Sequence, residues 1–314
     1  MARNMVLAFD LGGTKLAAAV VDRGGKVAER KSTEVEKRSA MEPVEQILEL
    51  ARELSGGKSG RAKIAAVGVA VPGLVRRDGT VWAPNLPGWK RMALARRLKQ
   101  ALRVPVVVES DRNAAVLGEA WHGAARGKSD VIVLMLGTGI GAGILSGGRL
   151  IRGAHELSGC AGWMVVTDAQ DPETVGVGQL ESLAAGPAIA RAAKKKLTSG
   201  IGGLLAEIPA EAITAQEVAK AARRGDAASI EVYQEAGRLL GHAVANLVSL
   251  FDPEVVVIGG GLASAADLFM DLLKQHMKER AQPLAGKHVR VVVSRLGSDV
   301  NLLGVAQLAW GLSL

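Results

Sequence analysis

Short apolar runs alternate with amphipathic stretches along the chain, and they come in two similar series. In the first series Met5–Phe9 and Leu16–Val21 are almost wholly apolar, as strands buried on both faces are. Lys26–Ser32 mixes charge into the pattern and reads as an outer strand, and Asp22-Arg23-Gly24-Gly25 before it carries hairpin-turn residues. Met41, Val44, Ile47, Leu48, Ala51 and Leu54 then recur at helical spacing with glutamates between them. Gly56-Gly57 is expected to stop that helix. Ile64–Val71 and Val104–Glu109 read as buried strands, Leu94–Leu102 as a helix between them, and Arg112–Ala125 as the helix after them.

The second series opens with a strand at Val131–Leu136, a glycine-rich turn, a strand beginning at Gly143–Leu145 and another at Arg149-Leu150. Helices are expected over Glu181–Leu197 and over Ala228–Leu250, where Tyr233, Leu240, Val244 and Leu247 share one side. Strands at Glu254–Ile258 and Val289–Val293 flank a helix at Ser264–Met277, and Asn301–Trp310 is a closing helix. Each half thus carries strands, a glycine turn and then strand–helix alternation, the pattern of a duplicated α/β unit. A boundary near Gly118–Gly127 divides the chain into residues 1–121, joined by the closing helix 301–314, and residues 122–300.

Composition narrows the class. Of 314 residues 48% are hydrophobic and 22% charged, the balance of a globular chain. One cysteine excludes an internal disulfide framework and a multi-cysteine zinc site. No apolar run approaches the ~20 residues of a membrane span, and the first strand follows the N-terminus too closely for a secretory h-region. The expectation is a cytoplasmic protein with no membrane partner. The net charge of +8 comes from small scattered groups such as Arg76-Arg77 and Lys194-Lys195-Lys196. No aromatic residues interleave with them as stacking rings would in a nucleic-acid binder, so no nucleic-acid partner is expected.

Three glycine clusters stand at strand ends. Asp10-Leu11-Gly12-Gly13-Thr14-Lys15 lies between two strands; its glycines permit a tight reversal and let backbone amides approach an anion, unless the segment is simply a Gly-Gly hairpin. Gly137-Thr138-Gly139 opens the run to Gly143, again between strands, with neither the ending of a Walker loop nor the following helix of a dinucleotide fingerprint. One Gly-Thr hairpin per half suggests a phosphate clamp in a cleft between two domains. Gly259-Gly260-Gly261, between a strand and a helix, either lets a flat ligand rest on the backbone or serves as a strand-to-helix turn.

These segments resemble the ROK family of sugar kinases, within the actin–hexokinase superfamily. Asp10–Lys15 is similar to its first phosphate motif, Leu136–Gly143 to its second and Gly259–Gly261 to its adenosine motif. Val71-Pro72-Gly73 and Pro84-Asn85-Leu86-Pro87-Gly88-Trp89 resemble its sugar-domain segments, and Ser110-Asp111-Arg112-Asn113 resembles the stretch with its catalytic aspartate. The similarity runs from residue 5 to about 310. It implies an α/β, two-lobed, ribonuclease H-like or actin-like ATPase fold with a central cleft, a homodimer, and ATP-dependent phosphoryl transfer to a hexose or hexose derivative. Asp111 is implied as general base, where the amides of a starting helix favour its anion. ATP and Mg²⁺ are the implied cofactors. Asp10 would hold the metal through water or phosphate; Gly12, Gly13, Thr14, Gly137, Thr138 and Gly139 would meet phosphates, and Lys15 either adds charge or is a solvated hairpin residue.

The chain also departs from the family. Ser110 stands where an asparagine is common, Cys160 where a sugar-binding glutamate sits, and Trp163 where a metal- and sugar-binding histidine sits. The cysteine-rich zinc motif is absent, its place taken by the polar loop Asp168–Gly178, so no structural zinc is expected. Gly73, Asn85, Ser110 and Glu181 remain as hydroxyl readers, although Glu181 is also placed as a first-turn helix acid. Trp163 either stacks on a sugar face or fills a core; Cys160 is a reactive thiol or a small buried apolar residue. The alternative to a kinase is a catalytically weak sugar- or nucleotide-binding protein of the same family. A regulator with an N-terminal helix-turn-helix is not expected, because the first strand starts at residue 5.

Overall fold

The computed structural model describes residues 4–56, 63–168, 176–200 and 203–312. The expected stop at Gly57 and most of the loop 168–178 lie outside them. The described residues form two compact units. The first comprises residues 1–127, 150–158 and 295–314; the second comprises 128–149 and 159–294.

The first unit is built from β1 (Asn4–Leu11), β2 (Lys15–Val21), β3 (Val27–Glu34), α1 (Glu42–Gly56), β4 (Lys63–Val71), the small ribbon β5 (Leu74–Val75) and β6 (Val81–Trp82), α2 (Leu94–Leu102), β7 (Val106–Ser110) and α3 (Asp111–His122). The second contains β8 (Val131–Leu136), β9 (Ile140–Ser146), α4 (Gln179–Ala184), α5 (Gly186–Thr198), α6 (Ala215–Arg223), α7 (Ala227–Phe251), β11 (Val255–Gly259), α8 (Met270–Arg280), α9 (Pro283–His288) and β12 (Arg290–Val293). The two-residue strand β10 (Arg149–Leu150) joins its sheet, and α10 (Val300–Leu312) returns to the first unit.

The duplication appears in the sheets. The first has the order β3-β2-β1-β4-β7 and the second β10-β9-β8-β11-β12. In each an antiparallel hairpin (β1–β2, β8–β9) is followed by two parallel additions (β4 and β7, β11 and β12). The apolar run of β1 serves two cores. Leu7, Phe9 and Leu11 pack with Ile47, Ala51 and Leu54 of α1 and with Leu94 and Leu98 of α2. Val6 and Ala8, on the other face, pack with Leu302, Val305 and Ala306 of α10. Alternation puts successive side chains on opposite faces, so a strand covered by helices on both sides reads as continuous hydrophobicity.

Close backbone approach decides the α10 side. A Cβ on Gly68 of β4 would overlap the carbonyl oxygen of Val305, one on Gly118 of α3 that of Val300, and one on Gly304 that of Ala114. Trp310 Nε1 ties the end of α10 to the Asp22 carbonyl at 3.0 Å. The Asp22 turn takes the expected form: Asp22 Oδ1 accepts from Gly24 N and Lys26 N, both at 2.9 Å, and Gly25 has φ +79°.

Three expected elements differ. The helix over 181–197 is two helices, broken at extended Ala185, because Pro187 has no amide hydrogen to continue the first ladder and instead starts the second. The strand expected from Gly143 begins at Ile140, so the second glycine turn is confined to 137–139. The helix over 264–277 is a 3₁₀ segment, Gly261–Leu268, followed by α8, with buried Phe269 at the break.

Replacing Gly304 by Ala is expected to destabilise the fold by about 3 kcal/mol, an overpacking cost. Gly311→Ala in the same helix meets no atom within 4 Å and is expected to be neutral or slightly stabilising. Denaturant unfolding of the two variants checks this; equal effects would show that the close approach carries no energy.

Candidate functional site

Register builds the site in the first unit. Asp10 pairs with Ala70 in parallel strand β4, and Ala70 pairs with Glu109 of β7. Asp10, the residues after Val71 and Ser110-Asp111 therefore lie at the same carboxyl end of three adjacent parallel strands, where open α/β sheets place ligands. α10 adds Asn301, whose Nδ2 donates to Asp10 Oδ1 at 3.1 Å. This partner lies 291 residues away, so no local signal announced it.

The two aspartates are partly buried, and few bonds replace the water they lose. Burial pushes the Asp10 carboxyl up from 3.8 to about 6, opposed by the Asn301 bond and Arg30 and reinforced by nearby Asp111. Burial also raises Asp111, opposed by the Arg112 amide, which donates to Asp111 Oδ1 at 2.8 Å, and by the Arg112 charge. Ser110 is the N-cap of α3, 2% exposed, and its Oγ is a buried oxygen with no hydrogen-bond partner among the described residues. Gly73 sits at φ +101°, where a Cβ would overlap the Trp82 carbonyl, so the turn itself demands glycine. Asn85 is exposed on a loop anchored by buried Trp89, whose Nε1 donates to the Ala40 carbonyl at 2.8 Å.

The first glycine turn is closed by Gly12 N donating to Lys15 O at 2.8 Å. A Cβ on Gly13 would meet no atom within 4 Å, and Thr14 and Lys15 are exposed. In the second unit Gly137-Thr138-Gly139 follows β8 and Gly259–Gly261 follows parallel β11, whose Gly259 pairs with Met135. The two therefore share one end of that sheet. A cavity of about 640 Å³ opens there, lined by Gly137, Thr138, Pro187, Ile213, Gln216 and Gly261 among others. The three glycines of 259–261 divide by role. Gly259 packs on the Met135 sulfur, and Gly260, at φ +84°, leaves no room for a Cβ beside Leu136. Gly261 faces open space, as Gly137 does.

Glu181 joins the second glycine turn. Its Oε2 accepts from Ile140 N at 2.7 Å and lies against Gly139 and Gly162; it is also in the first turn of α4. Cys160 is half-buried before a short 3₁₀ turn, Ala161–Trp163. Trp163 is 63% exposed, so the core role is excluded. His155 is an exposed loop residue, and no group of three His, Cys, Asp or Glu able to hold a metal occurs among the described residues.

Sequence reading missed Glu109, Asn113, Arg152 and Asn301. Two of them carried a signal: Glu109, a carboxylate ending the apolar run Val106–Val108, and Asn113, inside the Ser110–Asn113 segment already singled out.

The ROK family model matches residues 6–311. A glucokinase of Halalkalibacterium halodurans is 30% identical over 97% of this chain and 94% of its own length. A solved ROK family glucokinase from Streptomyces griseus, in complex with glucose and AMPPNP, is 31% identical with a TM-score of 0.81, covering 98% of this chain and 100% of that one. A xylose repressor of Caldicellulosiruptor bescii is 31% identical over 77% of this chain and 61% of its own.

The raised proton affinity of Asp10 has a consequence for stability. The folded chain keeps the Asp10 proton up to about pH 6, whereas the unfolded chain releases it near 3.8. Burying this group therefore costs stability as pH rises from about 4 to 6, by at most about 3 kcal/mol. Asp10→Asn is expected to unfold at higher denaturant than the parent at pH 7–8, with the gap closing towards pH 4. A gap independent of pH would refute the assignment.

Proposed function

The chain belongs to the ROK family and has the mixed α/β architecture of actin-like ATPases; from that membership we propose that it is an ATP-dependent sugar kinase with Asp111 as general base. Its relatives include carbohydrate kinases and also a repressor, so the reading is carried by one observation in the chain itself. Asp111 is a carboxylate at the carboxyl edge of a parallel sheet, with its proton affinity raised by burial and an unpartnered hydroxyl, Ser110 Oγ, beside it. A base in phosphoryl transfer takes the proton of the attacking hydroxyl, and a raised affinity brings a carboxylate nearer that task. Asp111 would accept the proton of the acceptor hydroxyl on an oxygen and hold it until product leaves.

The nucleotide would rest against Gly137, Thr138 and Gly261 in the second unit. Open backbone at these positions suits phosphate and base contact, and Gln216 and Ile213 supply one polar and one apolar wall. In the first unit Gly12, Gly13, Thr14 and Lys15 would meet the terminal phosphate. Asp10 and Asn301 fit Mg²⁺: their carboxylate and amide oxygens are hard donors, and Asn301 Oδ1 is buried without a partner among the described residues. A bound Mg²⁺ would neutralise phosphate charge.

The acceptor is a hexose or hexose derivative read by Ser110, Asn85 and the Gly73 backbone. Cys160 and exposed Trp163 replace polar readers, which shifts the pocket towards an acceptor with an apolar face or an N-acyl group. The second reading, a sugar-binding protein with little catalysis, is favoured by the same two residues.

ADP release measured with glucose, mannose, N-acetylglucosamine and N-acetylmannosamine tests the proposal. At least one sugar is expected to stimulate release, Asp111→Ala to lower the rate by about 10²–10⁴, and the parent rate to fall on the acid side at a pH above the ordinary carboxylate range. If no sugar raises ADP release above the Asp111→Ala level while calorimetry shows sugar binding, the second reading replaces the first.

A further inference from the structure

Immediately before the Ser110-Asp111 turn lies a carboxylate that the proposed chemistry leaves unused. Glu109 is 2% exposed. Its Oε1 accepts from Ser110 N at 2.8 Å and from Asn113 Nδ2 at 3.0 Å, so it organises the first turn of α3. Its Oε2 faces Arg152 Nη1 at 2.5 Å. Arg152 lies on residues 150–158, a stretch from the middle of the chain that belongs to the first unit.

Two further attachments hold that stretch. Arg112 Nη2 donates to the Glu156 carbonyl at 3.2 Å, and Arg77 Nε donates to Glu156 Oε1 at 3.0 Å. Glu156 has φ +60°, a conformation seldom adopted by a residue with a side chain and kept only where surroundings impose it. Arg77 is largely exposed, so its bond is screened; the Glu109–Arg152 pair is the tie with a fully buried carboxylate. Beside it, Ser110 Oγ and Asn113 Oδ1 are buried oxygens with no partner among the described residues.

A buried ion pair is weak evidence of stabilisation, because desolvation offsets the attraction. Glu109 also has a geometric part to play: one oxygen fixes the turn that carries the base, and the other fixes a second segment against that turn. Resting on the sugar-kinase reading, we infer that Glu109 and Arg152 are positioning residues for the acceptor sugar. They hold residues 150–158 against the Ser110–Asn113 turn, and Asn113 Oδ1 joins Ser110 Oγ in reading acceptor hydroxyls.

The experiment compares the parent, Glu109→Gln/Arg152→Met, Arg152→Lys and Asn113→Ala. The amide introduced by Glu109→Gln keeps an acceptor oxygen for Ser110 N and Asn113, so the double variant removes the tie without leaving a buried charge unpaired. Binding of glucose, mannose, N-acetylglucosamine and N-acetylmannosamine is read by calorimetry without nucleotide, and turnover is read separately as kcat, sugar KM and ATP KM. Melting temperature reports folding. The double variant is expected to melt close to the parent, to lose about 10-fold or more in sugar affinity and about 10–100-fold in kcat, and to keep its ATP KM within about 2-fold. Arg152→Lys is expected to recover most of the sugar affinity, and Asn113→Ala to lose about 10-fold. Parent-like sugar affinity in the double variant, or ATP and sugar constants that weaken together, would overturn the inference. A parent that binds sugar without releasing ADP defeats the kinase reading, while the calorimetric arm still decides this one. A parent that binds none of the four sugars defeats both.

Discussion

Taking a carboxylate out of water costs free energy unless bonds or opposite charge replace its hydration, and the first unit does so at the carboxyl end of one sheet, fully for Glu109 and partly for Asp10 and Asp111. Glu109 is fully compensated by an amide, an asparagine side chain and a guanidinium. Asp10 has Asn301, and Asp111 has the neighbouring amide, each less than its burial demands. The compensated acid belongs to the scaffold, and the undercompensated acids favour a proton or a cation. That difference, more than the number of acids, marks the place where chemistry is expected.

Glycine shows a parallel division. Gly68, Gly118 and Gly304 are needed because backbone of a neighbouring element occupies the place of a Cβ, and Gly260 because of its left-handed turn beside Leu136. Gly13, Gly137 and Gly261 answer to no such demand: a Cβ there would face open space. Glycines that packing does not explain leave backbone exposed at strand ends, where an anion can reach the amides. The duplicated sheet topology sets one such group at the end of each sheet, with the acids in the first unit and the 640 Å³ cavity in the second.

The second glycine turn carries an electrostatic tension. Glu181 bonds the Ile140 amide at 2.7 Å and so places negative charge beside a turn read as a phosphate contact. The same bond ties the end of that turn, which Gly137 N donating to Gly139 O at 3.0 Å and Gly186 N donating to Gly137 O at 2.8 Å also hold. Upstream, the exposed Trp163 follows a half-buried cysteine, an arrangement in which the ring is displayed and the thiol partly covered.

Most strands, the duplicated order and the positions of the three glycine clusters were legible in the amino-acid pattern, since each rests on neighbours within a few residues; the start of β9 and the short ribbon β5–β6 were not. The Asp22 turn and the amphipathic α1 were readable for the same reason. The break at Ala185 was readable too, through Pro187, but the helical periodicity of the flanking residues obscured it. Which acids share one end of the sheet was set by long-range pairing, because parallel β4 joins Asp10 to the strand before Asp111 across about a hundred residues. The folded arrangement alone supplied Asn301 from α10, joined Arg152 to Glu109, and put Trp163 at the surface. Those facts depend on burial and on contacts between distant segments. A linear pattern fixes which residues are apolar and how they repeat, but the energy of an ionised group is set by what surrounds it in space.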